Sequence, residues 1–314
     1  MVEAQVERAA RGRRRETDDG SLAGEASRQK LLADLPVAER RFLLAGIPTA
    51  VLEGGDGPPI VLLHGPMGNA THWMRIIPGL AATHRVIVPD LPGHGASAIA
   101  GDGRLDSARV IGWLDELIEQ TCKTPPALVG QLLGGAIAAR YASEHGHRLG
   151  RLVLVDTFGL CPFQPAPEFG LALSNFLAQP SERTHTELWH QCAFDHGALR
   201  RRMGKWWQPF EAYNLDRAHT PGVQTAVAAL MEQFGVPAIS PSDLARIAVP
   251  TTLIWGRHDR ATPLSVAEEA SGRFAWPLHV IEDCNDDPPV EQPDTLLRTL
   301  RAALDRREQE GRSR

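Results

Sequence analysis

The sequence predicts an α/β fold: a mostly parallel, eight-stranded sheet flanked by helices, with a helical cap inserted into it. Three observations predict it. Short continuous apolar runs, as expected of strands buried on both faces, alternate with segments of helical apolar spacing. The stretch Ala127 to Tyr141 joins one such run to an Ala-rich helical run through a tight turn with the paired glycines Gly134 and Gly135. From about Thr157 to Pro241 the alternation gives way to an irregular segment rich in Phe and Trp, and afterwards it resumes.

The elements follow in order. Arg41 to Ala45 and Thr49 to Leu52 are β-type runs around a Gly-Ile-Pro turn, suited to an antiparallel entry hairpin. Pro59 to Leu63 is a buried strand, Thr71 to Leu80 reads as a helix, and His84 to Pro89 as the next central strand. Leu105 to Thr121 places Val110, Ile111, Leu114 and Leu117 at helical spacing. The strand–turn–helix at 127–141 comes next, then a strand at Arg151 to Val155 that ends at Asp156. Beyond the aromatic segment, Pro250 to Gly256 is a strand, Leu264 to Phe274 a helix, Pro277 to Ile281 a strand, and Pro293 to Leu304 the closing helix. Such alternation gives right-handed crossovers between parallel strands. The expected organisation is a disordered arm at 1–36, a core at 37–156 and 242–308, a helical cap at 157–241, and a charged tail at 309–314.

Composition narrows the function classes. A chain of 314 residues with 43% apolar residues supports a full core. Its net charge of −5 argues against a nucleic-acid or membrane-surface partner. Cys122, Cys161, Cys192 and Cys284 lack CxxC spacing and read as reduced thiols of a cytoplasmic protein. No apolar run approaches the ~20 residues of a spanning helix. Arg11, Arg13, Arg14 and Arg15 cluster in the arm, but acidic residues and no apolar segment follow, which argues against an export signal. Nothing in the sequence sets an oligomeric state.

Five motifs carry a resemblance. Gly130-Gln131-Leu132-Leu133-Gly134 resembles the Gly-x-Ser-x-Gly nucleophile elbow of the α/β-hydrolase family. His64-Gly65-x-x-Gly68 looks like that family's oxyanion loop, and Pro89 to Ser97 like its glycine-rich turn. Trp255 to Pro263 resembles the acid loop, with Asp259 at the triad acid. Ile281 to Pro293 resembles the segment that carries the general-base His, and Asp286 stands at that position. The similarity spans about 41–307, nearest the esterase, C–C hydrolase and haloperoxidase-like branch, and implies the family fold.

Fold does not settle activity. A Ser hydrolase needs an attacking hydroxyl, a base titrating near neutrality, and aimed N–H donors. The nucleophile position holds Leu132, which cannot attack. No His follows His279, which lies inside a strand, so no register slip restores the base. Pro66, after His-Gly, has no N–H to offer an oxyanion, which leaves the Leu133 N–H and Met67 as candidates.

What remains is a candidate carboxyl pair, Asp259 and Asp286, with Asp283 and Asp287 nearby. Two facing carboxylates repel, and one proton affinity rises. The pair reads as an acid/base dyad, as structural carboxyls or, although the motif shows no metal-ligand spacing, as a seat for a divalent cation. Asp156 is a further acid candidate. Candidate ligand contacts are His64, Gly65, Met67, Gln131, Leu133, Trp189 and Trp206, with Phe163, His190 and Trp207 of the cap and His72 beside them. For His64 a structural role under the elbow stands beside a direct one, and Gln131 is placed either in the site or supporting the elbow from outside.

The expected partner is a small apolar molecule, with no cofactor. Three functions stay open: acid/base or positioning chemistry without a covalent intermediate, a non-catalytic pseudo-hydrolase that binds a ligand or partner, and an atypical ester or C–C hydrolase using another nucleophile such as Cys284.

Overall fold

A computed structural model describes residues 23–99 and 103–305. The first described element is a helix at 23–32 (α1). Strands β1 (Ala38–Leu44) and β2 (Ile47–Gly54) form the entry hairpin; β1 starts earlier than the run that announces it, and β2 extends beyond its run at both ends. Then come β3 (Pro59–Leu63), a 3-10 turn at Ala70–Trp73, α2 (Ile77–Ala81), β4 (Arg85–Pro89), α3 (Ser107–Thr121), β5 (Ala127–Gln131), α4 (Leu132–His145) and β6 (Arg151–Val155). Between β6 and the next strand lie α5 (Pro167–Ala178), α6 (Glu182–Cys192), α7 (His196–Met203), α8 (Trp207–His219), α9 (Pro221–Leu230) and the short α10 (Pro241–Leu244). The chain closes with β7 (Thr251–Gly256), α11 (Leu264–Phe274), β8 (Leu278–Ile281), α12 (Pro288–Glu291) and α13 (Pro293–Asp305).

The eight strands form one sheet in the order β1-β2-β4-β3-β5-β6-β7-β8. Strands β3 to β8 run parallel, and β1 and β2 pair antiparallel. The inner strands β3, β6 and β7 are buried along their whole length, which is why they read as unbroken apolar runs. Two clusters of buried side chains sandwich the sheet. One is centred on Trp113, Tyr141 and Trp255, the other on Trp73, Ile77 and Leu296.

Two expectations are corrected. The arm does not run disordered to residue 36, because 23–32 is helical and docked. Arg28 in α1 is 1% exposed and ion-paired to Glu39 and to Asp90, the latter at 3.6 Å. Leu31 packs with Met74 of the core and Tyr213 of the cap. One buried guanidinium and the adjacent Leu31 and Leu32 anchor this helix, too few apolar residues for periodicity to register. Residues 1–22, with the Arg cluster, and the tail at 309–314 lie outside the described residues.

The single helix expected over 71–80 is also corrected: it is a 3-10 turn followed by α2. Pro78 lacks the N–H that an unbroken helix would need at this point and sits instead in the first turn of α2, where that N–H is not required. Among the described residues no helix is long and apolar enough to cross a membrane.

The cap has its own aromatic centre. Trp189 meets Trp207 edge-on at 5.9 Å and Phe210 at 5.4 Å. Met74 and Val290 of the core join this cluster and seat the cap on the sheet's C-terminal edge.

Candidate functional site

The loops that leave β5, β6, β7 and β8 deliver Leu132, Asp156, Asp259 and Asp286 to one end of the sheet, where open α/β sheets place their ligands. The turn from β5 to α4 is tight because glycines allow it. A Cβ on Gly134 would stand 2.6 Å from the carbonyl oxygens of Leu63 and His64, and one on Gly130 would stand 2.4 Å from the Gly134 oxygen. Leu132, at the apex, adopts φ +46°, a left-handed conformation that costs a branched residue about 1–2 kcal/mol. Met67 (φ +56°) and Asp156 (φ +44°) share that conformation around the same site.

A cavity of about 480 Å³ opens between this end of the sheet and the cap. Its walls are mostly apolar: Leu132, Pro66 and Met67 from the core, and Phe158, Phe163, Phe169, Phe176 and Trp189 from the cap side. Polar groups are few. Asp286 and Asp287 line one part, and His72, His185, Asn214 and Gln224 others.

The carboxyls are held unusually. Asp286 is 3% exposed, and its Oδ1 has no hydrogen-bond partner. Burial first, and then the neighbouring charge of Asp259, push its pKa well above the usual carboxylate range. Asp259 accepts the N–H groups of Ala261 (2.7 Å) and Thr262 (2.8 Å) on Oδ1, while Oδ2 has no such partner. Burial raises it to about 7 against those two donors. Asp156 accepts Gly256 N–H at 2.7 Å and is pushed well up by burial and then by Asp259. Asp287 and Glu291 are each raised to about 7 by burial. The charge of Asp259 acts on Asp286, and both act on Asp156. Asp286 alone of these three lines the cavity. Asp283 is exposed on a turn and stays outside the cluster.

Other expected contacts separate. Leu132, Met67 and Trp189 line the cavity; His64, Gly65, Gln131, Leu133 and Trp206 do not. His64 donates from Nδ1 to the Gly65 carbonyl (2.7 Å) and accepts Leu91 N–H on Nε2 (2.9 Å), so both nitrogens are spent in structure. Burial holds its pKa well below the usual imidazole range. Gln131 supports from outside: its amide donates to Asp286 O (3.0 Å) and Asp287 Oδ1 (3.1 Å). Gly65 carries the Leu132 side chain, which packs over it. Leu133 is wholly buried in the core, and Trp206 sits beside Lys205 at the cap surface. Of the further cap residues, Phe163 lines the cavity, whereas His190 and Trp207 do not. Cys284 is fully buried beside Glu291, and burial pushes its thiol well up; Cys192 lines the cavity with a thiol raised the same way. Neither offers a thiolate.

Sequence reading missed His185, Asn214 and Gln224. They lie on helices whose polar residues look like solvent-facing positions until the cap is folded over the core. Among the described residues no group of three His, Cys, Asp or Glu side chains converges as a metal site would need.

The comparisons agree with this geometry. A family model of the alpha/beta hydrolase fold matches residues 58–293. A magnesium-chelatase 30 kDa subunit from Rhodobacter capsulatus is 32% identical over 228 residues, covering 69% of this chain and 76% of that protein. A 2-hydroxy-6-oxo-6-phenylhexa-2,4-dienoate hydrolase from Comamonas testosteroni is 29% identical over 265 residues, covering 78% and 87%. The crystal structure of a membrane phospholipase A superposes with a TM-score of 0.77 at 23% identity, covering 97% of each chain, which bears on fold alone. On the sheet order, the elbow turn and the family match together, the chain belongs to the α/β-hydrolase family.

Proposed function

We propose that this α/β-hydrolase family member binds a small, largely apolar molecule in the cavity and acts on it by acid/base chemistry without a covalent intermediate. One observation carries the reading: the Asp286 carboxyl, proton-retaining through burial and with an unpartnered oxygen, faces an apolar cavity whose elbow position is occupied by Leu132. In this reading Asp286 is the proton donor and acceptor, and the charge of Asp259 raises its proton affinity. Leu132 supplies an apolar wall where relatives would place an attacking hydroxyl. The aromatic lining orients the ligand's flat face.

The relative from Comamonas testosteroni supplies a probe. With 2-hydroxy-6-oxo-6-phenylhexa-2,4-dienoate, the expected result is proton redistribution, seen as a change in the dienoate absorbance, without the products of C–C cleavage. Asp286→Asn should abolish the change. Cleavage products, or turnover indifferent to Asp286, would reject the reading.

A second reading, a receptor cavity without turnover, draws on the Leu132 side chain packing onto Gly65, which fills the place of the reacting group. A ligand-induced rise in melting temperature with no chemical change in the ligand would favour it.

A further inference from the structure

Resting on the reading that the cavity takes a small apolar molecule, we propose that its cap wall is a hydroxyl-recognition site. In it His185, backed by Glu211, accepts the hydrogen bond of a phenolic or enolic O–H carried on an aromatic frame, and Asn214 is the second unpartnered acceptor of the same wall.

Helix α6 repeats at the spacing that builds one face, so His185, Leu188, Trp189 and Cys192 all line the cavity. Helix α8 brings Glu211 and Asn214 to one face, one turn apart. His185 is 1% exposed. Its Nδ1 lies 3.2 Å from Glu211 Oε1. The bond to His185 holds the Glu211 carboxyl below the usual range, so Glu211 is ionised and accepts, and Nδ1 carries the hydrogen.

That assignment fixes the other nitrogen. With the hydrogen on Nδ1, Nε2 is the lone-pair acceptor, and it is buried with no partner. Asn214, in the same wall, also presents an oxygen without a donor. A buried acceptor left unsatisfied is costly, so two such atoms in one apolar cavity favour a ligand that brings a hydrogen.

The remaining groups sharpen the chemistry. His72 lines the same cavity and accepts Asn69 N–H on Nδ1 at 3.2 Å, which leaves its Nε2–H as a donor. Acceptors together with a donor suit a hydroxyl, which gives one hydrogen bond and receives others. The ionised Glu211 behind His185 disfavours an anionic ligand group at this wall. The rings of Phe176 and Trp189 lie 5.7 and 6.1 Å from the His185 ring, so the hydroxyl would sit at the edge of a flat aromatic body. A ligand built this way has one end at the cap wall, and its body extends into the cavity that Asp286 also lines.

The test uses the full chain and two probes of nearly equal shape, 4-phenylphenol and 4-fluorobiphenyl, with binding read by calorimetry and by tryptophan fluorescence. The phenol should bind at least tenfold more tightly. The ratio should fall to within threefold in His185→Phe and decrease in Asn214→Leu. Equal affinities in the wild-type protein, or a ratio that survives both substitutions, would overturn the proposal while leaving the apolar cavity in place. Failure of both probes to bind would reject the cavity reading and the wall together.

Discussion

A Cβ built on Gly65 would stand 3.0 Å from Leu132 Cδ1 and 3.4 Å from Leu132 Cβ, so the elbow side chain rests on the glycine of the His-Gly loop. Leu132 thus covers the ground over which an oxyanion would form, and Pro66 beside it offers no N–H. Replacing Leu132 by Ser clears that ground, and Asp286→His supplies an imidazole at a position on which the Asp259 charge already acts. The double substitution should therefore raise hydrolysis of a short-chain nitrophenyl ester at least tenfold over the parent. Leu132→Ser alone should stay near the parent rate, because a proton-retaining carboxyl at 286 is a poor base. A folded double variant with parental activity would reject this account of the elbow.

The parts of this site that were legible in the sequence are those set by backbone geometry. Gly130, Gly134 and Gly135 mark close approaches that only glycine permits, so the turn was readable even with Leu132 at its apex. Asp259 and Asp286 were readable because each follows a strand in a fixed order. The cap side was not. His185 faces the cavity only because α8 supplies Glu211 across from it, a contact between residues 26 positions apart that no local pattern encodes. Gln131 and Trp206 show the converse: residues suited to ligand contact by type spend their side chains elsewhere. Helix α1 escaped notice because its docking rests on Arg28, a residue that composition assigns to solvent.

Stability should fall as pH rises from about 6.5 to 8. Asp259, Asp287 and Glu291 are raised to about 7 and Asp286 and Asp156 well above the usual range, so near neutrality the folded chain keeps protons that the unfolded chain has released. Buried His72, His94 and His196, lowered to about 4, act with the opposite sign, but only below the unfolded imidazole pKa of about 6.5. From about one pH unit above that value the unfolded imidazoles are neutral too, and the carboxyls act alone. Denaturant unfolding at pH 6.5 and 8 should show the loss. Asp286→Asn should shrink it and leave the variant more stable than wild type at pH 8. An unchanged slope in the variant would show that Asp286 is ionised at neutrality.

Arg28 should be the residue that fixes α1. It is 1% exposed and pairs with Glu39 and Asp90 of the core, and Asp90 in turn accepts Ala70 N–H at 2.7 Å and Ala96 N–H at 2.8 Å. Removing one partner of a buried pair leaves the other charge uncompensated, typically a loss of about 3–5 kcal/mol. Arg28→Met should approach that loss in denaturant unfolding and should release hydrogen-exchange protection in 23–32. A change below about 1 kcal/mol would mean that the helix is held by Leu31 packing alone.

Gln131 should hold the 286–287 turn without touching ligand. Its amide is the donor to Asp286 O and to Asp287 Oδ1, and it is 1% exposed. Gln131→Leu leaves two buried acceptors without that donor, so a loss of about 2 kcal/mol is expected. The loss has a second signature that a packing defect would not produce. Gln131 opposes the burial that raises Asp287 to about 7, so its removal should drive the Asp287 carboxyl higher. Infrared spectra across pH 6–9, with Asp287→Asn as the assignment control, should show one carboxyl stretch persisting to higher pH in the variant. An unshifted titration beside a destabilised fold would assign Gln131 to packing and remove it from the electrostatics of the site.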